Sequence, residues 1–199
     1  MKHRRTLFKC QQNTVGKEIT ICKDEINEIM MLGFMSSSLK NETMIVRYPC
    51  LLDILTQALK STESAHIKLE IAKLLCKLAW DEDNKTAMCE SEKVLEALVF
   101  LNSEKNYETK IFASTAIQYL SSAAQNKPIL VEHKGGKLID NLLVVAKDVL
   151  LQKSSLAAVQ TLMHLVNRKT IPYLVSIPGF LPTLVSLSKK SLIGKIFMM

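Results

Sequence analysis

The chain has 199 residues, of which 48% are apolar and 23% are charged, and its net charge is only +7. This composition is that of one ordinary globular domain and excludes an intrinsically disordered chain. Six glycines and five prolines are too few for a turn-rich β-sandwich, and the abundance of Leu, Ile, Lys, Ala and Ser favours helices.

Residues 1–23 begin with the basic run Met1–Arg5 and show no clear apolar stripe. We therefore expect a weakly ordered basic segment or a partial repeat there. A helical pattern begins at about Asp24, so residues 24–199 are predicted to form a single repeat domain.

The five cysteines include no CxxC pair, and we expect no signal peptide before them. We predict reduced thiols, most of them buried, because a disulfide framework would need an oxidising compartment. The cytoplasm is the predicted location, and the basic N-terminus leaves the nucleus as the alternative.

An apolar pattern with a period of about 43 residues runs through the domain. Its first position, at intervals of 43, 44 and 43 residues, is occupied by Leu51, Val94, Leu138 and Leu181. The position four residues later is occupied by Leu55, Leu98, Leu142 and Val185. Residues four apart lie on one face of an α-helix, so each segment is predicted to be a helix that buries both positions.

A longer helical pattern follows three of these segments, over His66–Trp80, Tyr107–Ser121 and Leu151–Val166. Each long pattern ends its apolar stripe on a leucine that we predict to be buried: Leu78, Leu120 and Leu165. Alanines interrupt the bulky residues of the second and third patterns and allow neighbouring helices to approach closely.

A brief third element lies between each long pattern and the next shorter one. Each copy opens near an asparagine, which we predict to cap a short helix: Asn41, Asn84, Asn126 and Asn167. Gly135-Gly136 and Pro178-Gly179 mark the break before the next segment. The predicted unit is therefore a short, a medium and a long helix, and units must stack because none can bury its stripe alone.

This unit resembles the armadillo repeat. The likeness rests on the length of the unit, on the Asn-Lys/Arg opening, on the run PGFLPTLV over Pro178–Val185, and on a looser copy, GKLIDNLL, over Gly136–Leu143. It implies an all-α, right-handed superhelical solenoid. The two-helix HEAT repeat is the alternative, and the short elements at Asn84 and Asn126 favour three helices.

The sequence departs from the family at positions that face the concave groove. Members of this family that bind extended peptides carry an Asn near the end of the third helix, and importin-α adaptors add a Trp one turn earlier. The corresponding residues here are Phe34, Lys73, Lys77, Thr115, Tyr119, Gln160 and His164. We therefore expect these seven residues to form the groove, without the importin-α mode of recognising nuclear localisation signals.

The function implied is a non-catalytic scaffold that binds a protein or peptide segment in that groove. Lys73 and Lys77 lie one helical turn apart and suit an acidic partner. A nucleic-acid-binding helical repeat is the alternative, because the isoelectric point is about 9.1. The basic residues are spread along the chain rather than clustered with aromatics, so nucleic acid is the weaker hypothesis.

No catalytic, metal or cofactor motif is found, so we predict neither an enzyme nor a cofactor. The acidic run Asp81–Asp83 is predicted to favour a helix N-terminus rather than to bind a metal. The uncharged stretch Ile171–Ser188 is long enough for a membrane helix, but three prolines interrupt it, so no span is expected.

The last predicted unit lacks a long third helix, because only the apolar run Ser191–Met199 follows it. A complete solenoid ends in a capping unit with a polar outer face. We therefore expect the chain to be a fragment or shortened variant of a longer repeat protein, or to self-associate through this end.

Overall fold

The computed structural model describes residues 49–148 and 152–189, and every regular element in these two stretches is a helix. The helices are, in chain order, α1 (Pro49–Ser61), α2 (Ala65–Trp80), α3 (Glu82–Glu90), α4 (Glu92–Asn102), α5 (Tyr107–Ser122), α6 (Asn126–Glu132), α7 (Lys137–Lys147), α8 (Gln152–Leu165), α9 (Ile171–Ser176) and α10 (Phe180–Lys189). A 3-10 turn, His133–Gly136, joins α6 to α7. The predicted all-α class is confirmed for this part of the chain, whereas the domain boundary predicted at residue 23 lies outside it.

Short, medium and long helices follow one another in a fixed order, and each packs on the helix of its own kind in the next unit. The long helix α5 lies between α2 and α8 and makes the largest interfaces of the fold with both. Gln118 bonds to Gln160 and Ser121 lies 3.1 Å from His164, so residue numbers rise together along α5 and α8. These two long helices are therefore parallel and nearly in register.

The core runs along the inner faces of the medium and long helices. The predicted leucines Leu78, Leu120 and Leu165 are completely buried, and so are Val94 and Leu138. Full burial of one leucine side chain stabilises a fold by about 1.5–3 kcal/mol. Small residues at the helix contacts let the backbones approach, and the buried alanines of the long helices include Ala113, Ala116 and Ala158. The side chain of Leu51 lies outside the described part of the structure.

The predicted apolar phase is wrong in α10. Leu181 is 48% exposed and Val185 is 53% exposed, whereas Phe180 and Leu187 are buried. The inward face is thus shifted by one residue, which makes the last interval 42 rather than 43 residues when it is counted from Leu138 to Phe180. The physical reason is that adjacent apolar residues in this helix form two overlapping stripes, and packing against α7 selects the one that contains Phe180.

The prediction that asparagines cap the short helices is also wrong for two of the copies. Asp81 caps α3, because its carboxylate accepts a bond from the Asp83 amide at 3.0 Å. Asn84 is buried inside α3 and donates instead to the Leu78 carbonyl, 3.1 Å away. Asn126 is the first residue of α6 and donates in the same way to the end of α5. Asp81–Asp83 thus lies at a helix N-terminus, as predicted.

In the fourth copy, Asn167 caps the turn before α9, and Thr170 is the N-cap residue of α9 itself. Asn41, in the first copy, lies outside the described residues. The side-chain oxygen of Asn167 accepts bonds from the amides of Lys169 and Thr170, at 2.8 and 3.0 Å, in the turn before α9. The bond back to the end of the long helix is made by Thr170, whose hydroxyl donates to the Leu165 carbonyl. The two tasks are therefore divided between two residues in this unit.

The glycine breaks were predicted correctly. Gly136 (φ 95°) and Gly179 (φ 88°) both adopt left-handed backbone conformations that favour glycine, and they immediately precede α7 and α10. A Cβ atom on Gly136 would also lie 3.2 Å from the Cδ1 atom of Ile177 in the next unit. Two units therefore meet closely at Gly136, where a side chain would require Ile177 to shift. None of the helices in residues 49–148 and 152–189 is both long and apolar enough to cross a membrane.

Candidate functional site

The long helices α2, α5 and α8 present one side to solvent, which we call the long-helix face. Six of the seven predicted groove residues lie on these helices and are more exposed than the leucines of the core: Lys73, Lys77, Thr115, Tyr119, Gln160 and His164. Lys77 is exposed and the other five are half-buried. The seventh, Phe34, lies outside the described residues.

An aromatic pair joins α2 to α5 on the long-helix face. Trp80 is 61% exposed, and its ring meets that of Tyr119 edge-on, with centroids 5.0 Å apart and planes at 79°. This edge-to-face geometry is one that aromatic pairs favour. Burial, with a smaller contribution from Cys76, raises the pKa of Tyr119 above its usual value of 10.0. The phenol therefore stays protonated at neutral pH and can donate a hydrogen bond to a partner.

Two lysines precede Trp80 on α2, Lys77 by about one turn and Lys73 by about two. The Lys73 ammonium bonds to Glu70 Oε1 at 2.8 Å and lies 6.0 Å from the ring centroid of Phe112 on α5. Such a distance is at the outer limit of a cation–π contact. Lys77 occupies the next turn, between Lys73 and Trp80. The α2–α5 part of the face thus combines exposed aromatic surface with two lysines.

The α5–α8 part of the face is polar and uncharged. The Gln118 amide donates to Gln160 Oε1 at 2.9 Å, and the Ser121 hydroxyl lies 3.1 Å from His164 Nδ1. Burial, followed by the positive charge of Lys127, lowers the pKa of His164 below 6.5. The imidazole is therefore neutral at pH 7, and it serves as a hydrogen-bonding group rather than as a third cation.

Sequence reasoning missed Trp80 and Phe112 as members of this face. The signal was present for Trp80, because it follows Lys73 by seven residues and Lys77 by three, which places all three on one helical stripe. Phe112 carries the same signal, since it precedes Thr115 by three residues and Tyr119 by seven.

Comparison of the chain with protein-family models, with curated proteins and with solved structures returns no match. In the described part of the chain, no group of three or more His, Cys, Asp or Glu side chains is placed to hold a metal ion. Cys76 and Cys89 are free, buried thiols, as predicted for the cysteines. The geometry of the long-helix face is therefore the main basis for a functional proposal.

Proposed function

We propose that the protein is an armadillo-type solenoid that acts as a non-catalytic interaction scaffold and binds a segment of a protein partner on the long-helix face. The order of short, medium and long helices supports this architecture, as does the packing of each helix on its own kind in the next unit. Repeat proteins of this type build extended binding surfaces from the aligned faces of stacked helices.

The observation that carries the functional proposal is the exposure of Trp80 beside Tyr119. A tryptophan left 61% exposed against a second aromatic ring is a large apolar surface in contact with water. Tryptophan and tyrosine dominate the binding energy of protein interfaces because they bury much area with little loss of conformational freedom. The pair is therefore a natural anchor for a partner side chain.

The charges around the anchor indicate the chemistry of the partner. Lys77, together with Lys73, whose charge Glu70 offsets in part at 2.8 Å, favours a segment that carries acidic residues beside an apolar or aromatic side chain. The positions at which peptide-binding relatives would carry backbone-binding asparagines hold Lys77, Tyr119 and His164 here. The partner would therefore be recognised through its side chains and not through a ladder of bonds to its backbone.

A peptide-display selection on the purified chain tests the proposal. We expect the selected peptides to contain acidic and aromatic residues and to lose about tenfold or more in affinity for Trp80→Ala. Val144→Ala is the matched control, because Val144 is 69% exposed on the medium helix α7. The same peptides should bind this variant with unchanged affinity. Equal losses in the two variants would contradict the assignment of the site.

The nucleic-acid alternative gives a different result in the same system. Binding to random duplex or single strands would weaken steeply as salt is raised, because phosphate contacts release counterions. A steep salt dependence together with indifference to Trp80→Ala would favour that alternative over the scaffold.

A further inference from the structure

A groove separate from the long-helix face opens between α1 and α4. It encloses about 620 Å³ and is bounded at one end by residues 133–137, the turn into α7. None of the long-helix face residues named above lines it. Its volume lies in the range of about 300–1,000 Å³ that small-molecule sites occupy.

The floor and one wall of this α1–α4 groove are apolar. Leu59, Ala97 and Val99 form buried surface beneath it, and the ring of Phe100, which is 45% exposed, stands at its side. The Lys68 ammonium lies 5.0 Å from the centroid of the Phe100 ring and 2.6 Å from Glu104, so this contact holds the wall in place. An apolar ligand would remove the exposed part of Phe100 from water, which favours binding.

The lining carries more positive than negative charge, with five lysines against the two glutamates Glu63 and Glu96. Lys68 is neutralised by Glu104, and Lys93 is neutralised by Asp53 at 2.6 Å. Three lysines, Lys60, Lys134 and Lys137, then share the lining with the two glutamates, and Glu96 is the one that contacts Lys60 and Lys134. The lining therefore holds more lysines than carboxylates, which favours a ligand that carries a carboxylate.

Two of these lysines converge on one point. Glu96 bonds to the Lys134 ammonium and lies 3.9 Å from that of Lys60, so both ammonium groups surround a single carboxylate. Each ammonium has three donors, and one carboxylate cannot use all six. Glu92, which does not line the groove and is 69% exposed, also approaches Lys134 at 3.8 Å and offsets part of the positive charge there.

We propose that the α1–α4 groove binds a small amphipathic carboxylate. Its apolar body lies against Leu59 and Phe100, and its carboxylate accepts hydrogen bonds from Lys60 and Lys134 beside Glu96. The proposal does not depend on the function assigned to the long-helix face, because the two sites share none of their named residues.

An NMR titration of the isotope-labelled 199-residue chain tests the proposal, with dodecanoate below its micelle concentration as the probe. We expect saturable shifts in the amides of residues 59–63, 96–100 and 133–137. Dodecyltrimethylammonium has a chain of the same length and the opposite charge, and it should bind at least about tenfold more weakly. Equal affinity for the two probes, or shifts confined to other residues, would overturn the proposal.

Charge reversal at the mouth of the groove provides the second arm of the test. Lys60 and Lys137 are both exposed, so Lys60→Glu with Lys137→Glu should leave the fold intact and weaken dodecanoate binding about tenfold or more. Lys147→Glu with Lys153→Glu is the matched control, because it changes the net charge equally at exposed sites that do not line the groove. If the control double variant lost as much affinity for dodecanoate as the groove double variant, the probe would be responding to the net charge of the protein. That result would exclude this site.

Discussion

The side-chain nitrogen of Asn126 donates a hydrogen bond to the carbonyl oxygen of Leu120, six residues earlier, at 3.0 Å. The same nitrogen donates to the Lys85 carbonyl, also at 3.0 Å, in the preceding short helix. Asn126 is completely buried. One amide group thus joins the end of α5, the start of α6 and the neighbouring α3, which explains why an asparagine stands at this junction.

Replacing Asn126 by alanine should lower the free energy of unfolding by about 2–4 kcal/mol, because two buried carbonyls lose their donor. Gln125→Ala is the matched control, since Gln125 is exposed and bonds only to Thr86, at 3.0 Å. We expect the control to change stability by less than about 0.5 kcal/mol. Chemical denaturation measures both values, and similar losses in the two variants would show that the junction does not depend on Asn126.

Replacing Leu120 by alanine should lower the free energy of unfolding by about 2–5 kcal/mol, because it leaves a cavity between the long helices. Leu120 is completely buried, whereas the control residue Val144 is 69% exposed. Thermal or urea unfolding of Leu120→Ala and Val144→Ala should therefore differ clearly. A loss below about 1 kcal/mol for Leu120→Ala would mean that the stripe does not form the core.

The register of α10 can be tested with two adjacent residues. Phe180→Ala should destabilise the protein by about 3–5 kcal/mol, because the ring is buried, whereas Leu181→Ala should have an effect of about 0.5 kcal/mol or less. Hydrogen exchange in α10 provides a local readout if the last helices open separately from the rest. If Leu181→Ala destabilised the protein more than Phe180→Ala, Leu181 would lie on the buried side of α10, as the sequence predicted.

Charge reversal at Lys73 and Lys77 together should weaken an acidic partner by about tenfold or more without lowering the melting temperature. The stability effect is small because the Lys73–Glu70 pair is half-exposed, and such surface pairs contribute about 0–1 kcal/mol. Peptides selected on the wild-type chain supply the binding assay. A variant that loses both binding and melting temperature would show that these lysines are structural.

Burial raises the pKa values of the Cys76 and Cys89 thiols from 9.0 to about 12. Only thiolate reacts, so at pH 8 both residues should be alkylated at least about 1,000-fold more slowly than in the unfolded chain. Peptide mapping after iodoacetamide labelling, with and without urea, measures this protection. Rapid labelling of the native chain at either site would contradict the burial.

The same pKa values determine how the free energy of unfolding changes with pH. The unfolded chain releases these thiol protons near pH 9, and the folded chain releases them near pH 12. The contribution of the two buried thiols to stability is therefore fully present below pH 9 and is lost progressively as the pH rises from 9 towards 12. Replacing both cysteines by alanine should remove this part of the alkaline decline in stability.

Much of the helical pattern could be predicted from the sequence, because apolar spacing reports directly which side of a helix is buried. The long segment predicted at Tyr107–Ser121 corresponds to α5, Tyr107–Ser122. The role of Asn126 could not be predicted in the same way, because a capping asparagine and one that bonds back to the previous helix occupy similar positions in a sequence. Distinguishing them requires knowledge of where the preceding helix ends.

The two candidate sites differ in how far the sequence could reveal them. Tyr119 and Lys77 could be placed on the long-helix face, since one helical stripe defines that surface. The α1–α4 groove could not be foreseen, because it depends on the separation of two helices and on Lys134, which reaches Glu96 from 38 residues away. Gaps between helices are a property of packing, and no local periodicity encodes them.

The junction at Asn126 bears on how such a chain can grow. Its bonds reach only the helix before it and the corresponding short helix one unit earlier, so both halves of the joint are supplied by adjacent units. A segment that extends from one such asparagine to the next contains the side chain that bonds to the preceding helix. In the proposed solenoid, duplicating that segment would lengthen the stack by one unit and repeat the exposed side of each helix once more, without changing the units already present.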